Sequence, residues 1–363
     1  MIWSPQQDAA LQAVKAWLKR GEPQVFRLFG YAGTGKTTLA RRIAEDLDET
    51  VAFAAFTGKA ALVLRSKGCE DARTIHSLIY RSRGVEAETP SFVLNDESPV
   101  AKAGLVVIDE CSMVDEELGR DLLSFGKPVL VLGDPAQLPP VKGGGFFTEA
   151  EPDIMLTDVH RQAADNPIIH MSMRIREGGN LAKGSYGESV VIGRDAIDAS
   201  LVTRADQVLV GLNKTRRAYN RRLRQLFGHE QPLPEIGDKL VCLRNDKTKG
   251  LLNGGLWVVK ANAGMRRKKL QLDAVPEEDQ SRRPLRLGIL PDFFEGTEEN
   301  LTYQQRRSSD EFDYGYALTV HKAQGSQWNR LVLFDESFAF REHRSRWLYT
   351  GITRAAEHLV LVV

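Results

Sequence analysis

Short, predominantly apolar runs alternate along this chain with segments whose apolar residues recur every three or four positions. The runs at 25–29, 51–56, 105–108 and 129–132 read as buried strands. The segments 6–19, 36–47, 59–67 and 115–124 carry the helical period between them. Such alternation predicts a parallel sheet covered on both faces. It lapses between about 80 and 103, where Gly84, Pro90 and Pro99 surround the apolar Ser91-Phe92-Val93-Leu94, a small inserted hairpin. It returns with strands at 207–212, 316–318 and 331–334, helices at 214–227 and near 344–354, and a last strand at 358–363. Between 244 and 312 only short β-like runs occur, at 256–260, 270–272 and 285–290, split by glycines and prolines.

The predicted fold class is therefore α/β: two P-loop-type domains with parallel sheets, a hairpin insertion and a small β-rich, barrel-like insertion. The expected boundaries are 1–152 for the first core, 153–243 with 313–363 for the second, and 244–312 for the inserted β-rich domain. A length of 363 residues agrees with more than one core.

One stretch carries the chemistry most plainly. Gly30-Tyr31-Ala32-Gly33-Thr34-Gly35-Lys36-Thr37 follows the first strand and opens a helix. Glycines allow a tight turn whose N–H groups face anionic oxygens, so Gly33, Thr34, Gly35, Lys36, Thr37 and Thr38 form a phosphate cradle. Lys36 is expected to reach the β- and γ-phosphates of a nucleoside triphosphate, and Thr37 to offer its hydroxyl to Mg²⁺. The run Leu105-Val106-Val107-Ile108 ends in Asp109 and Glu110, read as sitting on a strand beside the cradle. Asp109 takes the Mg²⁺ role and Glu110 that of the base for the attacking water. Gln137, after the strand at 129–132, is suited to sensing the γ-phosphate or that water.

Composition narrows the class without naming the partner. Hydrophobic content of 42% and charged content of 27% are those of a globular protein, and no apolar run approaches the ~20 residues of a membrane span. The first residues lack the basic and apolar regions of a signal peptide. Three cysteines without CxxC spacing (Cys69, Cys111, Cys242) read as reduced thiols in a cytosolic-type compartment, and the compact size and lack of accessory domains favour the cytoplasm of a bacterial or phage-infected cell. The net charge of +1 conceals basic clusters at 214–224 and 266–269 and acidic ones at 86–97, 277–279 and 292–299. That segregation suits a polyanion track, with Arg216 and Arg217 as candidates to face it, although a charge run also suits a solvated helix face.

The motifs GYAGTGKTT, FTGKAA (56–61), TIHSL (74–78), VIDECSMV (107–114), GDPAQLPPV (133–141), LTDVHRQ (156–162), YALTVHKAQGSQW (316–328) and LYTGITRA (348–355) occur in this order. Together the chain resembles a superfamily 1 helicase of the 5′→3′ branch, near the RecD-like and Dda-like group. The resemblance covers nearly the whole chain except the two insertions. It implies two RecA-like cores, ATP with Mg²⁺ as fuel, and unwinding of duplex DNA by travel along a single strand. It implies that Gln7 reads the adenine, that Gly325 lies near the phosphates, and that Arg161 and Arg354 act on the γ-phosphate beside Lys36, Asp109, Glu110 and Gln137. Single-strand contacts are implied for Thr57, Lys59, Thr74, His76, Pro139, Pro140, Thr319, His321 and Lys322, with Phe92 as a wedge at the fork or, equally, ordinary hairpin packing. The implied partners are single-stranded and fork DNA and possible replication or recombination proteins; no membrane is implied, and the motor is expected to be a monomer. A competing reading is a DNA-stimulated ATPase subunit of a larger recombination or nuclease complex. The lack of a nuclease motif and the core strand ending at Val363 favour a free-standing motor. A small-molecule kinase or GTPase shares the cradle but leaves Arg354 and VHKAQG unexplained.

Overall fold

The computed structural model describes residues 3–82, 92–140, 145–158, 166–246 and 248–363. The described residues group into two units: those within 3–82, 92–181 and 342–353 in the first, and those within 182–341 and 354–363 in the second. These cuts fall elsewhere than the boundaries expected from sequence. The helix Pro167–Arg176 packs on the helix Arg344–Ile352, and both group with the first unit.

In the first unit the strands are β1 (Val25–Gly30), β2 (Val51–Ala55), β3 (Arg73–Thr74), β4 (Tyr80–Ser82), β5 (Phe92–Leu94), β6 (Leu105–Asp109), β7 (Val129–Gly133) and β8 (Ile154–Leu156). Six of them form one parallel sheet in the order β3-β2-β6-β7-β1-β8, and β4 pairs with β5 in a separate antiparallel ribbon. Alternation along the strands fills both faces. Val106, Ile108, Val129 and Val131 pack on one side, and Leu105, Val107, Leu130 and Leu132 on the other. This double burial is why these strands read as unbroken apolar runs. The strand order also corrects an expectation: β7 lies between the cradle strand β1 and the acidic strand β6, so those two are not neighbours.

The second unit contains β9 (Gly184–Tyr186), β10 (Ser189–Ile192), β11 (Gln207–Val210), β12 (Lys239–Cys242), β13 (Leu256–Arg266), β14 (Lys269–Pro276), β15 (Leu285–Ile289), β16 (Phe312–Tyr314), β17 (Ala317–Thr319), β18 (Trp328–Phe334) and β19 (Ala355–Val362). One sheet runs β17-β11-β18-β19-β10-β9 and is parallel except for the β9–β10 pair. The other is an antiparallel sheet in the order β15-β14-β13-β12-β16.

The helix Asn213–Leu226 joins the two sheets through three buried polar side chains spaced four residues apart. Arg216 Nη1 donates to Asp313 Oδ2 at 2.6 Å. Asn220 exchanges two hydrogen bonds with the backbone of Ala317. Arg224 makes a bidentate pair with Asp238 (2.9 and 2.8 Å), donates to the carbonyls of Gln231 and Leu233, and lies over the Tyr314 ring. Arg216 therefore does not face a nucleic-acid track: its charge is buried and spent on Asp313. Arg217 is half-exposed and pairs with Glu298.

Candidate functional site

The phosphate loop follows β1 with the backbone that its glycines permit. Gly33 and Gly35 both have φ +80, a region that costs other residues, and Gly35 stands at the N-cap of the helix Lys36–Glu45. That N-terminus has no side-chain cap, so its first amides remain available for an anion. Lys36 Nζ donates to the carbonyls of Gly30 (2.7 Å) and Tyr31 (3.0 Å), which holds the ammonium over the loop. Thr34 is buried, and Thr38 lies one residue further into the helix.

Gln7 reaches this loop from the N-terminal helix Pro5–Arg20. Its Nε2 donates to the Thr34 carbonyl at 3.1 Å, while its Oε1 accepts from Ser4 N in a capping box. Both ends of the carboxamide are thus engaged within the protein.

Thr37 Oγ1 donates to Asp109 Oδ2 at 2.9 Å, so the expected cation ligands meet even though their strands are not adjacent. Asp109 Oδ1 accepts from the backbone N–H of Glu110 at 2.9 Å. Glu110 itself sits at φ 55, ψ 46, a left-handed conformation that costs a non-glycine residue on the order of 1–3 kcal/mol and concentrates at functional sites. A hydroxyl and a carboxylate at this distance are the hard oxygen donors that Mg²⁺ takes when substrate phosphates and water complete its shell.

Gln137 stands on the loop after β7 and is buried. Its Oε1 makes no hydrogen bond among the described residues. The loop is closed by Asp134, whose carbonyl accepts from Gln137 N and whose Oδ1 accepts from Ala136 N.

Two site residues were not predicted. Tyr349 and Thr350, on the helix Arg344–Ile352, both bond this loop: Tyr349 OH donates to Asp134 Oδ2 at 2.6 Å, and Leu138 N donates to Thr350 Oγ1 at 2.9 Å. Tyr349 OH also accepts from Ala32 N in the phosphate loop at 3.2 Å. Burial pushes the Tyr349 phenol well above its ordinary value, and the neighbouring Asp134 adds to the rise. The pairs are 215 and 212 residues apart in sequence, and only their place just before Ile352-Thr353-Arg354 hinted at them.

The residues expected to meet a single strand fall into two groups, one per unit. In the first, Thr57 and Thr74 are N-caps, their hydroxyls accepting from Ala60 N and Ser77 N. Accepting in this way leaves each O–H as a donor for a phosphate oxygen. His76 is exposed and stands edge-on to Phe92 with ring centroids 4.5 Å apart; Tyr80 completes the cluster, 4.7 Å from His76. Phe92 is 49% exposed. Lys59, Pro139 and Pro140 are partly exposed.

In the second unit Thr319 Oγ1 accepts from Lys322 N, His321 lies 5.4 Å from the Phe340 ring, and burial depresses the Lys322 ammonium. Gly325 adopts φ +75. Arg354 is buried, with Nη1 3.4 Å from the Ser326 carbonyl. Arg161 lies outside the described residues.

Against known proteins, residues 3–191 match the family model described as an AAA domain, and residues 314–362 match the UvrD-like helicase C-terminal domain. The chain is 32% identical over 359 residues to the ATP-dependent RecD2 DNA helicase of Deinococcus radiodurans, covering 91% of this chain and 46% of that protein. It is 34% identical over 164 residues to the ATP-dependent DNA helicase dda of Enterobacteria phage T4, covering 41% of this chain and 37% of that one. The chain thus spans less than half the length of these curated relatives. Among solved structures, a Pif1 helicase from Bacteroides in complex with ADP-AlF3 and ssDNA superposes with a TM-score of 0.58 at 18% identity, covering 99% of this chain and 92% of that one. Pif1 helicase from Candida albicans gives 0.59 at 19% identity, covering 99% and 94%. At these identities the likeness is one of fold: two RecA-like domains.

Proposed function

We propose that this chain, which belongs to the AAA-domain family through residues 3–191, is a superfamily 1 helicase, an ATP-driven motor that travels 5′→3′ on single-stranded DNA and unwinds duplex ahead of it. The observation that carries the reading is the meeting of an uncapped helix N-terminus, Lys36, Thr37 and Asp109 around one loop. In this reading Lys36 leaves the loop carbonyls for phosphate oxygens when ATP arrives, and Thr37 with Asp109 would hold Mg²⁺, whose charge would neutralise that of the phosphates. Glu110 takes the proton of the attacking water, and Gln137 orients that water through its unpaired oxygen. The roles of Gln7, Gly325, Arg161 and Arg354 are those implied by the family. In related phosphoryl-transfer enzymes an arginine of this kind is worth about 10³–10⁵ in rate.

The threonine caps, His76, Pro139 and Pro140 in the first unit, and Thr319, His321 and Lys322 in the second, supply phosphate donors and stacking faces for a single strand. Phe92, exposed beside His76, is the wedge where the strands part. Fork DNA and a monomeric state belong to the same proposal.

The test uses the full chain with forks bearing a single 5′ or 3′ tail. Unwinding of the 5′-tailed fork alone, with ATP hydrolysis that rises strongly on adding single-stranded DNA, is expected. The Lys36→Ala variant should lose both activities and keep single-strand binding. Turnover by that variant at the parent rate refutes the cradle assignment. DNA-stimulated hydrolysis without unwinding of either fork refutes the free-standing motor in favour of an ATPase subunit.

A further inference from the structure

We propose that Tyr349 and Thr350 are positioning residues that set Gln137 for hydrolysis and link it to the state of the phosphate loop; this rests on the ATP-hydrolysing reading above. The geometry is directional. A phenol has one proton, and with a carboxylate on one side and a backbone N–H on the other that proton goes to Asp134. The chain therefore runs Ala32 N–H to Tyr349 O–H to Asp134, from the phosphate loop to the start of the Gln137 loop. Thr350 is directed in the same way: its hydroxyl donates to the Arg346 carbonyl at 2.7 Å and accepts from Leu138 N.

Asp134 and Leu138 bracket Gln137, three residues before it and one after. Two adjacent residues of one helix thus hold both ends of the turn that carries the unpaired Gln137 oxygen. Each contact is buried, where a hydrogen bond is exchanged for nothing when it breaks. A ligand that draws Ala32 N–H toward its own oxygens alters what Tyr349 offers Asp134, and the turn responds. The loop's occupancy is thereby reported to the residue that orients water, through one hydroxyl.

The experiment measures DNA-stimulated ATP hydrolysis by the full chain carrying Tyr349→Phe, Thr350→Val or Thr350→Ser. Tyr349→Phe keeps the ring and removes both bonds; kcat should fall about tenfold or more with KM for ATP within about threefold, the signature of an interaction spent on the reacting state. Thr350→Val should behave alike, whereas Thr350→Ser, which keeps the hydroxyl, should stay within about twofold of the parent. Gln137→Ala alone must lower kcat, and adding Tyr349→Phe to it should cost less than about twofold more, because residues acting as one unit are not additive.

A parent-like kcat in Tyr349→Phe, or its full penalty persisting in the Gln137→Ala background, overturns the proposal. Should Tyr349→Phe not fold, the contrast between Thr350→Val and Thr350→Ser decides, and equal rates in those two overturn it. Lys36→Ala separates the two levels: turnover at the parent rate in that variant sinks the cradle assignment on which this proposal rests, whereas turnover lost there with Tyr349→Phe unaffected sinks only the positioning role.

Discussion

Replacing Asp238 by alanine should be among the most destabilising single changes available in the second unit. Asp238 has no exposed surface, and its two oxygens accept from Arg224 Nε and Nη2, from Glu235 N at 2.7 Å and from Tyr316 OH at 3.0 Å. Removing the carboxylate takes the bidentate partner from Arg224, a residue 5% exposed, and leaves its charge to the Gln231 and Leu233 carbonyls and the Glu235 carboxylate at 3.8 Å. Breaking a buried ion pair from one side typically costs about 3–5 kcal/mol. The orphaned Glu235 N–H and Tyr316 hydroxyl add to this only in part, since all four donor groups shared one carboxylate. A loss of about 4 kcal/mol lowers Tm by about 8–16 °C for a unit of this size.

Scanning calorimetry of the full chain measures it. The decisive comparison is the double variant Arg224→Met with Asp238→Leu. It removes both charges together and fills the space, so it should recover to within about 2 kcal/mol of the parent. If the single change shifts Tm by less than about 2 °C, or the double variant is as unstable as the single, the pair is not the clamp described.

Phe92→Ala should leave DNA-stimulated hydrolysis near the parent rate while slowing fork unwinding at least about fivefold, measured on the same 5′-tailed substrate; parallel losses in both assays refute the wedge role. Cys111 and Cys242 should not react with a disulfide reagent in the folded chain at pH 8, because burial pushes both thiols up, Cys242 to about 12; labelling as fast as in urea refutes their buried placement. The sign for stability follows. A thiol whose folded value is raised favours the fold fully below its unfolded value of about 9, and that favour is lost as pH rises from about 9 toward 12. Urea melts at pH 8 and pH 10.5 should therefore show lower stability at the higher pH.

Strands buried on both faces were legible because nearly every residue in them is apolar, Arg27 in β1 and the terminal Asp109 of β6 excepted; each of the four runs in the first core became a strand to within two residues at either end. The short strands β8, β9, β10, β12 and β16 were not, since three or four residues carry too little pattern to stand out from loops. Local motifs announced the phosphate loop and the acid pair, whose geometry depends on neighbours in sequence. What sequence could not reveal was the pairing across distance. Arg216 reads as part of a basic run on a solvated face, yet its partner Asp313 lies 97 residues away. Tyr349 reads as one more apolar residue of its helix until Asp134 and Ala32 are seen beside it.

The polar stripe of Arg216, Asn220 and Arg224 also bears on how the second unit could change in length. The chain departs from the parallel sheet after this helix and comes back at β17, and the same helix clasps both the departure, at Asp238, and the return, at Asp313 and Ala317. β11 and β17 then lie side by side although about a hundred residues separate them. With exit and entry fastened together, the parallel sheet is indifferent to how long the excursion is, because the entropy of closing a loop grows only with the logarithm of its length. The antiparallel sheet is thus free to be enlarged, trimmed or exchanged, provided that the three clasped points survive.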